Sequence, residues 1–279
     1  MPKDPDQTAG RQATAETHSL PVRRLQPDTR QDERRAVAAE VPVALTYNGV
    51  SHVVMMMTPR QLEDFAVGFS LSEAVVDTID EVREIEVRPV DPGILIAAQI
   101  PRPRFEALLA RGRNMVGQTG CGLCGIVDLE TAVRPVTTRC PRPDVSLDAV
   151  FAALDTLGAH QPLNRATGAV HAAAFADPSG AVRMVREDVG RHNALDKLIG
   201  GVARAGERFD AGFVLMTSRC SFELVQKAIT VGVPALVTIS APTDLAVRLA
   251  ADAGLTLIAL ARSDAVLAFN DPHGLFADR

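Results

Sequence analysis

Apolar residues recur along the chain with two periods, and the places where one period gives way to the other mark out the elements. From Val41 to Tyr47 and again from Val50 to Met57 the pattern is β-prone, and Asn48-Gly49 between the two runs is the strongest short hairpin signal a sequence offers. Thr58-Pro59-Arg60-Gln61 then supplies a hydroxyl, a proline and a glutamine at the spacing of a capping-box helix start. Leu62, Phe65, Ala66 and Phe69 follow at helical spacing and give that helix an inward stripe. Two more strands are predicted over Glu81 to Val90 and Gly93 to Ile100, and a short helix over Arg104 to Arg111.

Beyond a glycine-rich stretch, Val127 to Thr138 reads as extended, Cys140-Pro141-Arg142-Pro143 as a linker, and Ser146 as the cap of a helix with Val150, Phe151, Leu154 and Leu157 inward. Strands over Ala169 to Ala176 and Ala181 to Arg186 bracket the turn Asp177-Pro178-Ser179-Gly180. Helix and strand patterns then alternate: helix His192 to Ala205, strand Phe213 to Ser218, helix Ser221 to Val231, strand Ala235 to Ser240, helix Thr243 to Ala253, strand Leu255 to Ala261. That alternation predicts an α/β layer with a largely parallel sheet. Ligands of such sheets sit beyond the carboxyl ends of the strands, which here carry Thr217-Ser218-Arg219, Ser240-Ala241-Pro242-Thr243 and Arg262-Ser263-Asp264.

Residues 1–35 are rich in Pro, Gln, Thr, Asp and Arg and hold too little apolar surface to offset ordering entropy, so a disordered tail is expected there. The expected organisation is therefore a tail over residues 1–35, an α+β domain over residues 36–140 that ends in the glycine-rich loop, and an α/β domain over residues 141–279. With 279 residues, 47% of them hydrophobic, the chain has material for one large core or two modest ones. A net charge of -5 argues against a protein that coats nucleic acid. The absence of an apolar run of about 20 residues argues against a membrane span. No apolar core of a secretory signal stands at the N-terminus, so the expected location is the cytoplasm. Neither a phosphate-binding G-x-x-x-x-G-K-[ST] loop nor a G-x-G-x-x-G fingerprint occurs.

The chemistry concentrates in Gly117-Gln118-Thr119-Gly120-Cys121-Gly122-Leu123-Cys124-Gly125. So many glycines serve a turned or mobile loop better than a helix or strand, and the loop carries two of the chain's four cysteines at C-x-x-C spacing. Three uses are open: half of a zinc site, whose other ligands have no finger-like spacing here, dithiol redox exchange, or sulfur nucleophile and carrier chemistry. A second cluster runs Arg186-Glu187-Asp188-Val189-Gly190-Arg191-His192-Asn193-Ala194-Leu195-Asp196-Lys197, and it reads equally as a solvated helix start or as an anion site using Arg191, His192 and backbone N–H groups. Ser218-Arg219-Cys220-Ser221-Phe222-Glu223 repeats the theme, with Arg219 at a strand end. His171, on an apolar strand, reads more readily as a core histidine bonded to backbone.

Taken together these motifs resemble the formate dehydrogenase accessory sulfurtransferase family, FdhD. The resemblance rests on Leu62 to Phe69 with Ser72-Glu73, Gly120 to Gly125, Gly168 with His171, Glu187 to Lys197, Ser221 to Lys227, and Ser240-Ala241-Pro242-Thr243, in the family's order. It implies a cytidine deaminase-like C-terminal domain beside a smaller N-terminal α+β domain. It does not carry over the deaminase zinc site, which needs H-x-E and P-C-x-x-C, and no metal is expected. The implied activity is transfer of persulfide sulfur from a cysteine desulfurase to the molybdenum cofactor, bis(molybdopterin guanine dinucleotide), which then serves a formate dehydrogenase. A homodimer is implied as well.

Residue by residue, the resemblance makes Cys121 the persulfide carrier and Cys124 the second thiol of the loop, with Arg111 and Arg113 as neighbouring positive charge. It makes Leu260-Ala261-Arg262-Ser263-Asp264-Ala265 a cofactor-contact segment, although Leu260 stands where an aromatic residue is expected. Arg191, His192, Arg219 and Arg262 suit the cofactor's phosphates, so guanine nucleotides are expected to bind as fragments. Cys220, beside Arg219 at a helix start, is the competing thiol. The rival functions are a chaperone that binds the molybdenum cofactor without sulfur chemistry and a zinc-stabilised interaction module.

Overall fold

The computed structural model describes residues 15–112 and 139–276, which form twelve strands and seven helices. The loop from Gly117 to Gly125, with Cys121 and Cys124, and the extended stretch expected over Val127 to Thr138 lie outside the described residues.

Most of the stretch expected to be disordered forms an antiparallel ribbon of β1 (Thr17–Leu25) and β2 (Arg30–Ala38). Composition rightly denies this segment a core, but its charges pair across the strands, Arg23 with Asp32 at 2.7 Å and Arg24 with Glu33 at 3.0 Å. Pro27 and Asp28 occupy the turn, which the Gln26 N–H closes on the Thr29 carbonyl at 3.0 Å. A two-stranded ribbon is marginal alone. Its base is tied down by the Ala39 N–H to the Glu16 carbonyl at 2.8 Å and by Arg60 to the Glu16 carboxylate at 2.9 Å.

The next four strands are β3 (Val41–Tyr47), β4 (Val50–Met57), β5 (Arg83–Val90) and β6 (Gly93–Gln99), in the order β4-β3-β6-β5. Asn48 and Gly49, at φ 50° and 82°, make the predicted hairpin turn. Val43, Leu45, Tyr47, Met57, Ile94 and Ile96 bury one face of this sheet against α1 (Leu62–Ser72) and α2 (Arg102–Gly112), which contribute Phe65, Ala66, Phe69 and Leu108. The capping box expected at Thr58 does not form. Helix α1 starts at Leu62, preceded by Gln61 in a left-handed conformation with no side-chain cap. Thr58 is buried and engaged elsewhere: its N–H donates to Asp188, its hydroxyl accepts from the Val189 N–H and its carbonyl accepts from Lys197.

The C-terminal sheet comprises β7 (His171–Ala176), β8 (Val182–Asp188), β9 (Phe213–Met216), β10 (Ala235–Thr238), β11 (Thr256–Ala259) and β12 (Leu267–Asn270), in the order β12-β11-β10-β9-β7-β8. Strands β9, β10 and β11 are parallel, whereas β7, β8 and β12 each meet their neighbours antiparallel. The sheet is thus mixed rather than largely parallel, because short turns join β7 to β8 and β11 to β12 and a short turn can only reverse the chain. Helices α5 (Arg191–Arg204), α6 (Phe222–Thr230) and α7 (Asp244–Ala253) cover one face, where Leu195, Leu198, Leu224 and Leu249 meet Phe175, Val214 and Leu236. Helix α3 (Leu147–Leu157), capped by Ser146 as expected, covers the other with Val150, Ala153 and Leu157. The remaining helix, α4 (Pro162–Thr167), leads into β7. This is the layered α/β architecture that the deaminase-like expectation requires.

Helices α1 and α5 join the two sheets through their glycines. A methyl group at Gly68 would overlap the Asp196 carbonyl, and one at Gly200 would overlap the Asp64 carbonyl, so each backbone lies directly on the other. Around this crossing the α1 carboxylate of Asp64, itself buried, accepts from Arg186 of β8 at 2.8 Å and from Arg204 of α5. Gly200→Ala is expected to destabilise the protein by at least ~2 kcal/mol, since backbone cannot yield as a side chain would. Gly158→Ala, at a position with open space around it, should leave the melting temperature unchanged. Thermal unfolding of both variants followed by circular dichroism checks the pair, and equal melting temperatures would contradict the close crossing.

Candidate functional site

The carboxyl edge of β9, β10 and β11 collects the starts of three long helices and most of the residues singled out from sequence. Strand β7 runs antiparallel to β9, so its first residue, His171, also lies at this edge, and it pairs with Asp188, the last residue of β8. Arg191 opens α5 three residues later, and Arg219 precedes α6. The Ala172 N–H bonds the Thr217 hydroxyl at 2.8 Å, which locks the β7 and β9 ends together.

Most of the charged cluster between Arg186 and Lys197 is consumed by the fold. Arg186 pairs with Asp64; the Glu187 carboxylate accepts from the Leu163 and Asn164 N–H groups at 2.9 and 2.8 Å and so caps α4. Asp188 is fully buried and accepts from Thr58 N–H, Gly190 N–H, the Asn193 amide and Lys197, the last at 2.5 Å. Burial pulls Lys197 below the ordinary lysine range, with Asp188 opposing. Asp196 holds Lys227 at 2.9 Å and Ser72 at 2.6 Å, while Glu73 holds Lys227 at 2.8 Å. Burial works against the charge on Lys227, but the two carboxylates outweigh it and hold its pKa above the ordinary value. Sequence reasoning missed these roles because the partners lie as far as 155 residues apart.

Subtracting those side chains leaves Arg191 and His192. Among the described residues neither Arg191 nor Arg219 forms an ion pair, and the buried Arg191 Nε has no hydrogen-bond partner. Helices α5 and α6 begin at Gly190 and Ser221 with no side-chain cap, unlike α7, where the Thr243 hydroxyl accepts from the Ala246 N–H. Guanidinium groups with no ion pair among the described residues, beside helix starts without an N-cap side chain, suit an anion, although Glu223 in the first turn of α6 offsets part of that positive charge. His192 lies with its Nε2 3.5 Å from the Ser221 hydroxyl and 3.8 Å from the Glu223 carboxylate. Burial and then Arg191 push its pKa down to about 4, Glu223 opposing, so the ring is neutral at pH 7. Because hydroxyl and carboxylate approach the same ring nitrogen, these three residues do not form a serine–histidine–acid relay.

His171 is half-buried rather than a core residue, and its ring makes no hydrogen bond among the described residues. Burial lowers its pKa first, and Arg191 and Arg219 lower it further. The segment from Leu260 to Ala265 follows β11 at the same edge. Leu260, at φ 51°, bonds the Ser240 carbonyl, Ala261 is buried, and Arg262 to Ala265 form an exposed turn closed by the Arg262 N–H on the Ala265 carbonyl at 2.9 Å. No hydrogen bond or ion pair among the described residues joins this segment to Arg191, His192 or Arg219. Two strand spacings, ~10 Å, separate the β9 and β11 ends, so the candidate residues line an extended edge rather than a compact pocket.

Of the four cysteines, the described ones are Cys140 and Cys220, both buried and unpaired. Desolvation pushes the Cys140 thiol up to about 11 and Cys220 to about 12. Cys220 therefore lacks the stabilised thiolate that its place beside Arg219 suggested; its side chain points into the core under α6 while Arg219 is exposed. Arg111 donates to the Ala74 carbonyl at 3.1 Å, and Arg113 lies outside the described residues.

Residues 38–276 match the model of the FdhD/NarQ family. The chain is 51% identical over 241 residues to the "Sulfur carrier protein FdhD" of Xanthomonas euvesicatoria pv. vesicatoria (strain 85-10), covering 86% of this chain and 85% of that protein. It is 44% identical over 256 residues to the protein of the same name from Variovorax paradoxus (strain S110), covering 92% of each. Its fold is similar to a putative formate dehydrogenase accessory protein from Desulfotalea psychrophila, with a TM-score of 0.69 at 24% identity, over 92% of this chain and 98% of that one.

The buried thiols make a direct test. Brief treatment of the native protein with iodoacetamide at pH 8 should leave Cys140 and Cys220 unmodified, and both should react after denaturation. Labelling of Cys220 in the native protein as fast as a free thiol would contradict its burial.

Proposed function

The chain belongs to the FdhD/NarQ family, and from that premise we propose that it is a sulfur carrier that delivers sulfur to a molybdenum cofactor bound for a formate dehydrogenase. In this reading a cysteine desulfurase presents a persulfide, and the Cys121 thiolate attacks its outer sulfur. The donor's S–S bond breaks, the donor thiolate leaves and a new S–S bond forms on Cys121. Cys124, three residues on, assists as the second thiol of the loop. The cargo, bis(molybdopterin guanine dinucleotide), held by its phosphate-bearing ends, would then accept the outer sulfur by supplying the electron pair of the new bond, as the S–S bond on Cys121 breaks and the Cys121 thiolate leaves.

The observation that carries the cargo half of this reading is the pairing of the charged residues around the start of α5. The fold satisfies Arg186, Glu187, Asp188, Asp196 and Lys197 internally and, among the described residues, gives Arg191 and Arg219 no ion pair at two helix starts without an N-cap side chain, the carboxylate of Glu223 being the charge that Arg191 feels there. A ligand with separated phosphates and two nucleotide ends suits an edge that extends from Arg191 and Arg219 to Arg262. The relatives named sulfur carriers, at 51% and 44% identity, support the transfer half.

Two measurements test the halves separately. After incubation with a cysteine desulfurase and cysteine, non-reducing peptide mass spectrometry should find the added sulfur on Cys121. It should vanish in Cys121→Ala and persist in Cys220→Ala; the opposite pattern would move the carrier to Cys220. If Cys121→Ala still supports full formate dehydrogenase activity, the protein is instead a cofactor chaperone without sulfur chemistry.

For the cargo site, Arg191→Ala should weaken GDP binding by ~1.5–3 kcal/mol, the worth of a hydrogen bond to a charged group. The same variant should keep its melting temperature, because among the described residues Arg191 makes no ion pair and its Nε has no hydrogen-bond partner. Lys197→Met, by contrast, strands the buried Asp188 carboxylate and should cost ~3–5 kcal/mol of stability. Calorimetry with GDP and thermal unfolding of both variants check this, and a large fall in stability for Arg191→Ala would place that residue in the scaffold.

A further inference from the structure

His171 is the one group at the carboxyl edge whose surroundings fit neither the scaffold nor a simple core position. It opens β7, pairs in register with Asp188 on one side and lies beside the β9 end on the other, where the Ala172 and Thr217 bonds fix the backbone. The charged groups that face it come from three neighbouring segments: Arg191 from the start of α5, Arg219 from the turn before α6, and Asp188 from the end of β8. Asp188 opposes the two guanidinium groups, but it is engaged by Lys197, Asn193 and backbone N–H groups, and its effect on the imidazole is smaller than that of either arginine. The ring thus lies within electrostatic reach of two guanidinium groups, with no hydrogen bond among the described residues to fix it.

We propose that His171 is a third, proton-dependent cation of the anion site, so that binding a nucleotide phosphate between Arg191 and Arg219 is coupled to uptake of one proton by the His171 imidazole. This rests on the reading that the edge holds a nucleotide. The step is a protonation alone: solvent supplies the proton, the imidazole nitrogen takes it, and the phosphate accepts the resulting N–H. With the site empty, the two guanidinium groups oppose a further positive charge beside them. A phosphate neutralises both and adds negative charge next to the ring, so the electrostatic opposition to the imidazolium reverses while the contribution of burial remains.

The sign follows by linkage. The free protein's His171 titrates below the ordinary histidine value of 6.5, and the complex's titrates higher. Between those two values the complex binds more protons than the free protein, so affinity rises as pH falls through that window. Above the upper value the ring is neutral in both states and its protonation adds nothing. Below the lower value it is charged in both and the gain is complete.

The experiment is an NMR titration of the full chain, following the histidine Cε1–H signals with and without saturating GDP, with His171→Gln used to assign the His171 signal. Saturating GDP should raise the His171 midpoint by about one unit, which corresponds to ~10-fold tighter binding of GDP to the imidazolium form. Calorimetry should accordingly find GDP bound several-fold more tightly at pH 6 than the same protein without His171 binds it, and the advantage should disappear at pH 8. A His171 midpoint that does not move while GDP is demonstrably bound would overturn this inference and leave the nucleotide site standing. No binding of GDP at millimolar concentration at either pH would overturn both.

Discussion

The contact between α1 and α5 is the constraint on which the arrangement depends. Gly68 and Gly200 let two helix backbones meet with no side chain between them, and the helices belong to different sheets. That closeness brings Asp64 within reach of Arg186 and Arg204, and Ser72 and Glu73 within reach of Lys227. Removing charges from water is costly, and an isolated buried carboxylate would not remain ionised. Here each has a matched cation and further donors, so the seam is polar yet satisfied. Its effect is positional, because it fixes where α5 begins and therefore where Arg191 and His192 stand.

The same logic separates scaffold from site. A charged side chain with internal partners on every side has little left for a ligand, whereas Arg191 and Arg219 form no ion pair among the described residues. The distinction is invisible in the run Arg186 to Lys197 itself, where like residues alternate with no local sign of which are spoken for. It emerges only when partners such as Thr58, Asp64 and Leu163 are folded against the run.

Local chemistry was legible wherever it was decided locally. Asn48-Gly49 fixed a hairpin, Ser146 capped its helix, and alternating periods located the strands and helices that carry Arg191 and Arg219 at a common edge. The misreadings share a cause in partners remote in sequence. Thr58 resembles a helix cap, but a buried aspartate claims its N–H, and a charged tail that cannot make a core makes a ribbon through cross-strand ion pairs. The mixed sheet escaped notice because periodicity reports that a segment is a strand and not which way its neighbour runs. His171 looked like a core residue because its following neighbours are alanines; its place at the strand's first position, beside two arginines, comes from register.

The bonds from Thr58 to Asp188, Val189 and Lys197 have a consequence for biosynthesis. They span 130 to 139 residues, and Asp64 waits 122 residues for Arg186 and 140 for Arg204. As the chain emerges from the ribosome N-terminus first, the four-stranded sheet and α1 form with the glycine face of α1 uncovered and Asp64 in water. Only when α5 has cleared the exit tunnel can that face close. Completion of the first lobe is therefore a late, long-range event, of the kind that slows folding and leaves apolar surface open to chaperones meanwhile. The edge that carries Arg191, anchored at the start of that same α5, is assembled at the moment the lobes close, so a chain halted before residue 204 would have neither a finished first lobe nor the proposed anion site.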